Sequence, residues 1–242
     1  MGFIAAAYGL LCYAVFFGLF LYAIGFVGDL IVPKMIDSGP SAVLPGALAI
    51  DLVLLGLFAV QHSVMARSGF KAAWTRIVPR VVERSTYVLI SSLLLNSYLL
   101  EMAGHRDGRL GRNVAGAQDD PASSLRAWLA NRAALDVHDQ PLLFGLRQVY
   151  LRMRGLDYTS LPFTQRAFYR FVRHPIMLGF VIAFWATPHM SVGHLVFSIA
   201  TTGYILIGIF FEERDLVRYH GTEYEAYRAR VPMLFPTGVK RN

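Results

Sequence analysis

Three groups of polar residues sit at the ends of long apolar runs in this chain, and their types are those that hold ligands or move protons. Arg173-His174-Pro175 opens one run. Pro175 suits a first helical turn, because the amide hydrogen it lacks would have no partner there. His174 then takes the cap position, where its ring and the nearby backbone amides can meet an anionic or polar ligand group. A plain helix cap beside an interfacial arginine would read the same way. Glu212 and Glu213 follow another apolar run directly, at the end of a helix whose dipole disfavours negative charge. Adjacent carboxylates point to different faces, so one can meet a ligand amine or ribose while the other pairs with Arg173 or Arg214. Ordinary interfacial solvation is the alternative. Gln61, His62 and Ser63 close a third run. Polar groups at that depth usually face a protein interior or a cavity, where His62 can accept a proton or simply make an interhelical hydrogen bond. Glu83, Arg84 and Tyr87 can complete such a pocket, or Glu83 and Arg84 can pair at an interface. Further on, Tyr224 and Tyr227 are three apart on a helix that also carries Arg228; that face can cover a ligand or pack on a membrane surface.

The elements that position these residues are set by composition. Of 242 residues, 55% are hydrophobic and 16% charged, whereas a soluble domain carries about 25% charged residues. The apolar residues come in long blocks, which excludes disorder, coiled coil and collagen and predicts an all-α, polytopic membrane protein. The single cysteine, Cys12, excludes a disulfide framework or a cysteine zinc cluster. Five apolar runs are visible, over residues 3–32, 43–65, 87–100, 176–187 and 192–211. The first is too long, and lacks the basic start, for a signal peptide. Pro188 and Gly193 separate the last two as a helical hairpin. Residues 144–153 read as a basic amphipathic surface helix, and a cytosolic helix follows the last run. Asp51 lies deep in the second run with no partner assigned by the sequence.

The net charge of +7 calls for a topological explanation before a nucleic-acid one. Arg67, Lys71, Arg76, Arg80 and Arg84 form one basic segment. Arg147, Arg152, Arg154, Arg166, Arg170 and Arg173 form another, and the tail is also basic. The positive-inside rule puts all three in the cytoplasm. Only one apolar run lies between the first two segments, and one crossing would place them on opposite faces, so a crossing is missing.

Several motifs carry a resemblance. Downstream they are Leu143-Phe-Gly-Leu-Arg-Gln148, Tyr158-Thr-Ser-Leu-Pro-Phe163, Tyr169-Arg-Phe-Val-Arg-His-Pro175 with Gly179, Phe184-Trp-Ala-Thr-Pro188 and Gly208-Ile-Phe-Phe-Glu-Glu-Arg-Asp-Leu216. Gly221, Tyr224, Tyr227, Arg228 and Val231-Pro-Met-Leu234 continue the series, and Gln61-His-Ser-Val-Met-Ala-Arg67 and Glu83-Arg-Ser-Thr-Tyr87 stand upstream. With these the chain resembles the methanethiol S-methyltransferase family of bacterial membrane proteins, within the isoprenylcysteine carboxyl methyltransferase-like and phospholipid methyltransferase group. The resemblance implies an S-adenosylmethionine-dependent enzyme of the cell membrane, multi-pass, with its methyl-donor site facing the cytoplasm. It assigns donor binding to Arg173, His174, Pro175, Gly179, Glu212, Glu213, Tyr224 and Arg228 under a cytosolic lid that includes Tyr219, Tyr227 and Pro232. It assigns acceptor chemistry to His62, Gln61 and Glu83, with His62 taking the thiol proton. The partners implied are a small thiol and the lipid bilayer, with no metal, no nucleic acid and no obligate protein partner. An isoprenylcysteine- or lipid-type acceptor is the second reading, and a non-catalytic membrane subunit or transporter the third. Met177 departs from the wider group, which carries an aromatic there, and bears on how donor or acceptor packs.

The resemblance lapses over residues 96–142, where the chain turns polar and rich in Gly, Ala, Arg and Asp. Back-translating residues 128–141 and reading one base later, with third positions free, allows Gly-Trp-Leu-Ile-Val-Leu-Leu-Ser-Thr-Phe-Met-Ile-Asn-His. Residues 100–112 likewise allow Trp-Lys-Trp-Arg-Ala-Ile-Gly-Thr-Val-Val-Trp-Asp-Val, in which Met102 followed by Ala103 forces a Trp. Two compensating indels would thus replace the rest of the third span, an outer loop and the fourth span with a poorly ordered segment, and the chain as written would be inactive. A genuine polar insertion is the alternative, disfavoured by the rarity of long structureless loops. The implied organisation is 1–95 for the N-terminal helices, 96–142 for the aberrant segment and 143–242 for the donor-binding region.

Overall fold

The computed structural model describes residues 2–28, 32–36, 44–102, 146–156, 167–186 and 190–236, and every regular element among them is helical. In chain order they are α1 (Gly2–Val27), α2 (Leu44–Ala66), α3 (Ser68–Trp74), α4 (Glu83–Glu101), α5 (Leu146–Met153), a 3₁₀ turn (Ala167–Arg170), α6 (Pro175–Trp185), α7 (Val192–His220) and α8 (Thr222–Arg230). Among the described residues, three helices are long and apolar enough to cross a bilayer: Phe3–Val27 of α1, Gly46–Ala66 of α2, and α7. The two other runs that the sequence marks as spans differ from these. α4 has 19 residues but is interrupted by Ser91, Ser92, Asn96 and Ser97. α6 has 11 residues, about 16 Å at 1.5 Å per residue, against a hydrocarbon core of about 30 Å. The helix α3, inside the first basic segment, has no counterpart in the sequence reading. Asp29 and all of residues 103–142 lie outside the described residues.

The chain divides into two compact units. In the first, α4 packs against both α1 and α2, and α5 against α1. At one end of α4 the Thr86 hydroxyl lies 3.1 Å from the Tyr8 hydroxyl of α1. Towards its other end Lys34, just beyond α1, donates to the Leu100 carbonyl. These contacts make α1 and α4 parallel. The polar residues of α4 are accommodated locally: Thr86, Ser92 and Ser97 donate to the carbonyls of Val82, Val88 and Leu93, one turn back. Burial lowers the Lys34 pKa, against the carboxylates of Glu101 and Asp51, which favour its charge. Asp51 thereby gains the electrostatic partner that the sequence left unassigned. α4 carries the chain through Asn96 to Glu101 and buries Tyr98, Leu99 and Met102. The described start of the 96–142 segment is therefore continuous with the helix before it.

In the second unit, Ile205 and Ile209 of α7 pack with Leu234 against Met177, Leu178, Phe180, Val181 and Phe184 of α6. Met177 spends its side chain in this core. His194 Nε2 at 3.0 Å and Ser198 Oγ at 2.7 Å both meet the Phe184 carbonyl near the end of α6, one of the carbonyls that a helix end leaves without an intrahelical partner. A glycine joins α7 to α8: Gly221 has φ of +54°, a backbone region that side chains rarely adopt. Beyond it Tyr224 and Tyr227 bury their rings with Val231 against Leu216 and Val217 of α7. The spacing of three thus places both tyrosines on the packed face of α8.

Candidate functional site

Two polar clusters gather most of the residues that the sequence singles out, one in each unit. In the second unit, Pro175 is the first residue of α6 and His174 its cap, without a side-chain capping bond. That leaves the imidazole free of backbone duty, and it lies between two carboxylates. Nε2 is 3.1 Å from Glu213 Oε1 and Nδ1 is 3.5 Å from Glu212 Oε2. The two glutamates are not at a helix end, as the sequence suggested. α7 continues without a break to His220, so they sit on inner turns of a long helix, and the end-dipole argument does not apply to them. Their environments differ: the side chain of Glu213 is 12% exposed and that of Glu212 is 50% exposed.

Arg173 accounts for the difference. Its Nε donates to Glu213 Oε1 at 2.6 Å, and its Nη1 donates to the carbonyls of Arg228 at 3.0 Å and Val231 at 2.6 Å. The backbone reinforces this, since Arg173 and His174 amides donate to the Pro232 and Met233 carbonyls. Of the two arginines offered as a partner for a glutamate, Arg173 is the one that pairs, and its guanidinium ties the end of α8 to α7. Tyr227 adds a further tie by donating to the Tyr169 carbonyl at 2.7 Å. Burial pushes the Tyr227 phenol up to about 12. Burial, and then the Glu213 carboxylate, raise Tyr224 as well.

Beside this knot is a cleft of about 340 Å³ lined by Leu206, Ile209, Phe210, Glu213, Arg214, Val217, Arg228 and Met233. It offers one carboxylate and two guanidinium groups over an apolar floor, the mixture expected for a ligand carrying both charges and an aromatic or apolar portion. Arg214 was named in the sequence only as a possible ion-pair partner. Gly179 is buried within α6, away from the lining of this cleft.

The first unit holds the other cluster. His62 of α2 stacks on Phe58, with ring centroids 5.3 Å apart. The Tyr87 hydroxyl of α4 lies 3.0 Å from Nδ1 and 2.9 Å from Nε2 of that imidazole. Ser91 Oγ is 3.4 Å from His62 Nδ1 and donates to Gln61 Oε1 at 3.2 Å. The amide nitrogen of Gln61 donates to Met65 Sδ at 2.9 Å. Glu83 is buried at the start of α4, and among the described residues no hydrogen bond joins it to Gln61 or His62. Ser91 and Met65 join this cluster without being among the candidates that the sequence singles out. Ser91 lies four residues after Tyr87, hence on the same face of a helix, and Met65 lies four after Gln61. Helical periodicity was the signal that could have found both.

No family model matches the chain, and no solved structure matches it. It is 48% identical over 238 residues to a methanethiol S-methyltransferase of Mycobacterium tuberculosis, covering 95% of this chain and 94% of the relative. It is 47% identical over 232 residues to a methanethiol S-methyltransferase of Crocosphaera subtropica, covering 95% and 90%. A more distant likeness, 31% over 182 residues and 70% of this chain, is to Nurim of Mus musculus. Identity of 48% and 47% with near-complete coverage in both directions means that the chain belongs to the methanethiol S-methyltransferase family.

Proposed function

We propose that this protein is a membrane methyltransferase that converts methanethiol to dimethyl sulfide with S-adenosylmethionine as donor. The observation that carries the reading is the near-full-length likeness to proteins named for that reaction. The second unit supplies groups that fit the donor. Glu212 and Glu213 suit its ammonium and ribose, Arg228 suits its carboxylate, and the apolar wall of the cleft suits its adenine. Tyr224 and Tyr227 hold α8 as the lid over them. Arg173, His174 and Pro175 shape that site from beneath, with Gly179 keeping α6 slim where it is buried. When bound, the donor supplies a methyl group on a cationic sulfonium that departs as a neutral thioether.

The residues of the first unit handle the acceptor. His62 takes the thiol proton, because the thiolate is the reactive form of sulfur, and Tyr87 fixes the imidazole that receives it. Gln61 faces the sulfur. Glu83, buried at the head of α4, acts on the polarity of that end of the helix. The donor site faces the cytoplasm of a multi-pass protein of the cell membrane, on the strength of the basic segments. Cells expressing the frame-corrected protein should release dimethyl sulfide into the headspace when given methanethiol, and calorimetry should detect S-adenosylhomocysteine binding. Binding without dimethyl sulfide would instead favour a lipid- or isoprenylcysteine-type acceptor. Absence of both from a well-expressed, frame-intact protein would reject an enzyme.

We also infer that the frame changes within residues 96–142, with the helical organisation of 1–95 before it and the donor region of 143–242 after it. The forced Trp and the apolar alternative frame support this. The nucleotide sequence across those codons tests it, and an alternative frame without an apolar span would end it.

A further inference from the structure

The cluster on α2 and α4 contains a sulfur contact that the acid–base chemistry does not use. Methionine can only accept a hydrogen bond at its sulfur, so the group of Gln61 lying 2.9 Å from Met65 Sδ must be the amide nitrogen. Ser91, donating to Gln61 Oε1 at 3.2 Å, holds the amide in that sense by occupying its carbonyl end. Met65 and Ser91 are both buried, and the stacked Phe58 ring lies next along α2. The end of a methionine side chain is a methylene–sulfur–methyl group, chemically a dialkyl sulfide. The protein thus displays one oriented amide N–H on an internal group of the same class as the product of the proposed reaction.

From this we propose that Gln61, oriented by Ser91, forms a sulfur-recognition subsite for a small alkyl thiol, and that Met65 occupies it as an intramolecular mimic of the dialkyl sulfide. The proposal rests on the methanethiol reading and deepens it. Gln61 directs its N–H to the acceptor sulfur, and Ser91 is a positioning residue that acts through Gln61. Met65 competes with the thiol for the same donor, which weakens binding of thiol and product alike and aids release. Selection of sulfur over oxygen follows from the surroundings, since a large, weakly hydrated sulfur tolerates an apolar wall with a single donor better than a hydroxyl does.

The test uses the full chain in lipid nanodiscs with methionine methyl groups labelled with ¹³C, the Met65 resonance being assigned by its loss in Met65→Leu. Titration with methanethiol should shift the Met65 methyl resonance saturably, and Ser91→Ala should raise the half-saturation concentration about fivefold, the worth of one orienting hydrogen bond. S-adenosylhomocysteine affinity should stay unchanged in Ser91→Ala, which a general loss of structure would not allow. In turnover, Met65→Leu should lower the KM for methanethiol about two- to threefold by removing the competitor, on a similar estimate for a weak hydrogen bond to sulfur. A Met65 resonance that ignores methanethiol, or a half-saturation unaffected by Ser91→Ala, overturns the subsite whether or not dimethyl sulfide is made. A saturable shift without dimethyl sulfide keeps the subsite and rejects methanethiol methylation.

Discussion

Glu212 and Glu213 are neighbours in sequence with different surroundings in the structure, so replacing each should weigh differently on stability. Glu213 is nearly buried against Arg173 and His174, so Glu213→Gln leaves a guanidinium without its counter-charge. Breaking such a pair by removing one partner costs about 3 kcal/mol or more, visible as a lower Tm in detergent. Glu212 is half exposed and, among the described residues, its ion-pair contact is with His174. Glu212→Gln should leave the Tm within a degree or two, roughly, as surface changes do, while weakening S-adenosylhomocysteine about tenfold, the worth of a charge-assisted hydrogen bond. Equal losses of Tm and affinity in both variants would remove the distinction. His62→Gln should lower the rate of dimethyl sulfide formation by about 100-fold or more, the lower range for a general base, with the calorimetric affinity for S-adenosylhomocysteine unmoved. At this scale the sequence was informative where a polar residue interrupts an apolar run, as Gln61, His62 and the glutamates do. It was silent on Ser91 and Met65, because serine and methionine are unremarkable inside a membrane helix until the register shows which face they share. It could not rank the two glutamates, since that ranking depends on Arg173, some forty residues away along the chain and paired only in three dimensions.

The elements were legible as apolar runs and less so at their ends. The apolar stretch of α7 stops at Phe211, yet the helix continues to His220, because Leu216 and Val217 find an apolar partner in α8. The run of hydrophobicity marked the membrane portion, and packing set the helix. α3 escaped notice for the related reason that seven residues carry too little periodicity to read. Gly221 is where α7 must give way to α8, and its φ of +54° makes Gly221→Ala strained. The cost should be about 1 kcal/mol or more, seen as faster proteolysis after α7 with α1–α4 unaffected; unchanged cleavage would mean that the turn tolerates a side chain. Alkaline titration probes the same element. The Tyr227 pKa is raised in the folded protein to about 12 from a reference near 10. The folded state therefore prefers the neutral phenol. Its contribution is fully present below pH of about 10 and is lost as pH rises towards 12. Tyr227→Phe should flatten that loss of stability between those limits, measured by unfolding at stepped pH.

For the molecule as a whole, charge decides which side of the membrane each segment occupies. The excess of +7 is concentrated in the segment around α3, in the stretch leading to α6 and in the tail, while the loop after α1 holds one described cation, Lys34, which burial and the Leu100 carbonyl keep occupied. Since α1 and α4 are parallel and α2 joins them, the α3 segment lies at the opposite membrane face from Lys34. The positive-inside rule predicts that the α3 segment is inside and the Lys34 loop outside, and the basic residues before α6 and after α7 predict, independently, that α8 is inside. The protein is suited to a direct measurement of this, because its only cysteine, Cys12, is buried and gives little background. Single cysteines can be placed at Ile77 and Tyr219, which are 80% and 75% exposed, and at the exposed Pro33. In the frame-corrected protein, with a membrane-impermeant maleimide on intact cells, Pro33→Cys should label, whereas Ile77→Cys and Tyr219→Cys should label only after permeabilisation. If Ile77→Cys and Tyr219→Cys instead responded oppositely to each other, an odd number of crossings would separate them, the donor and acceptor ends could not both be cytoplasmic, and the orientation argued from charge would fail.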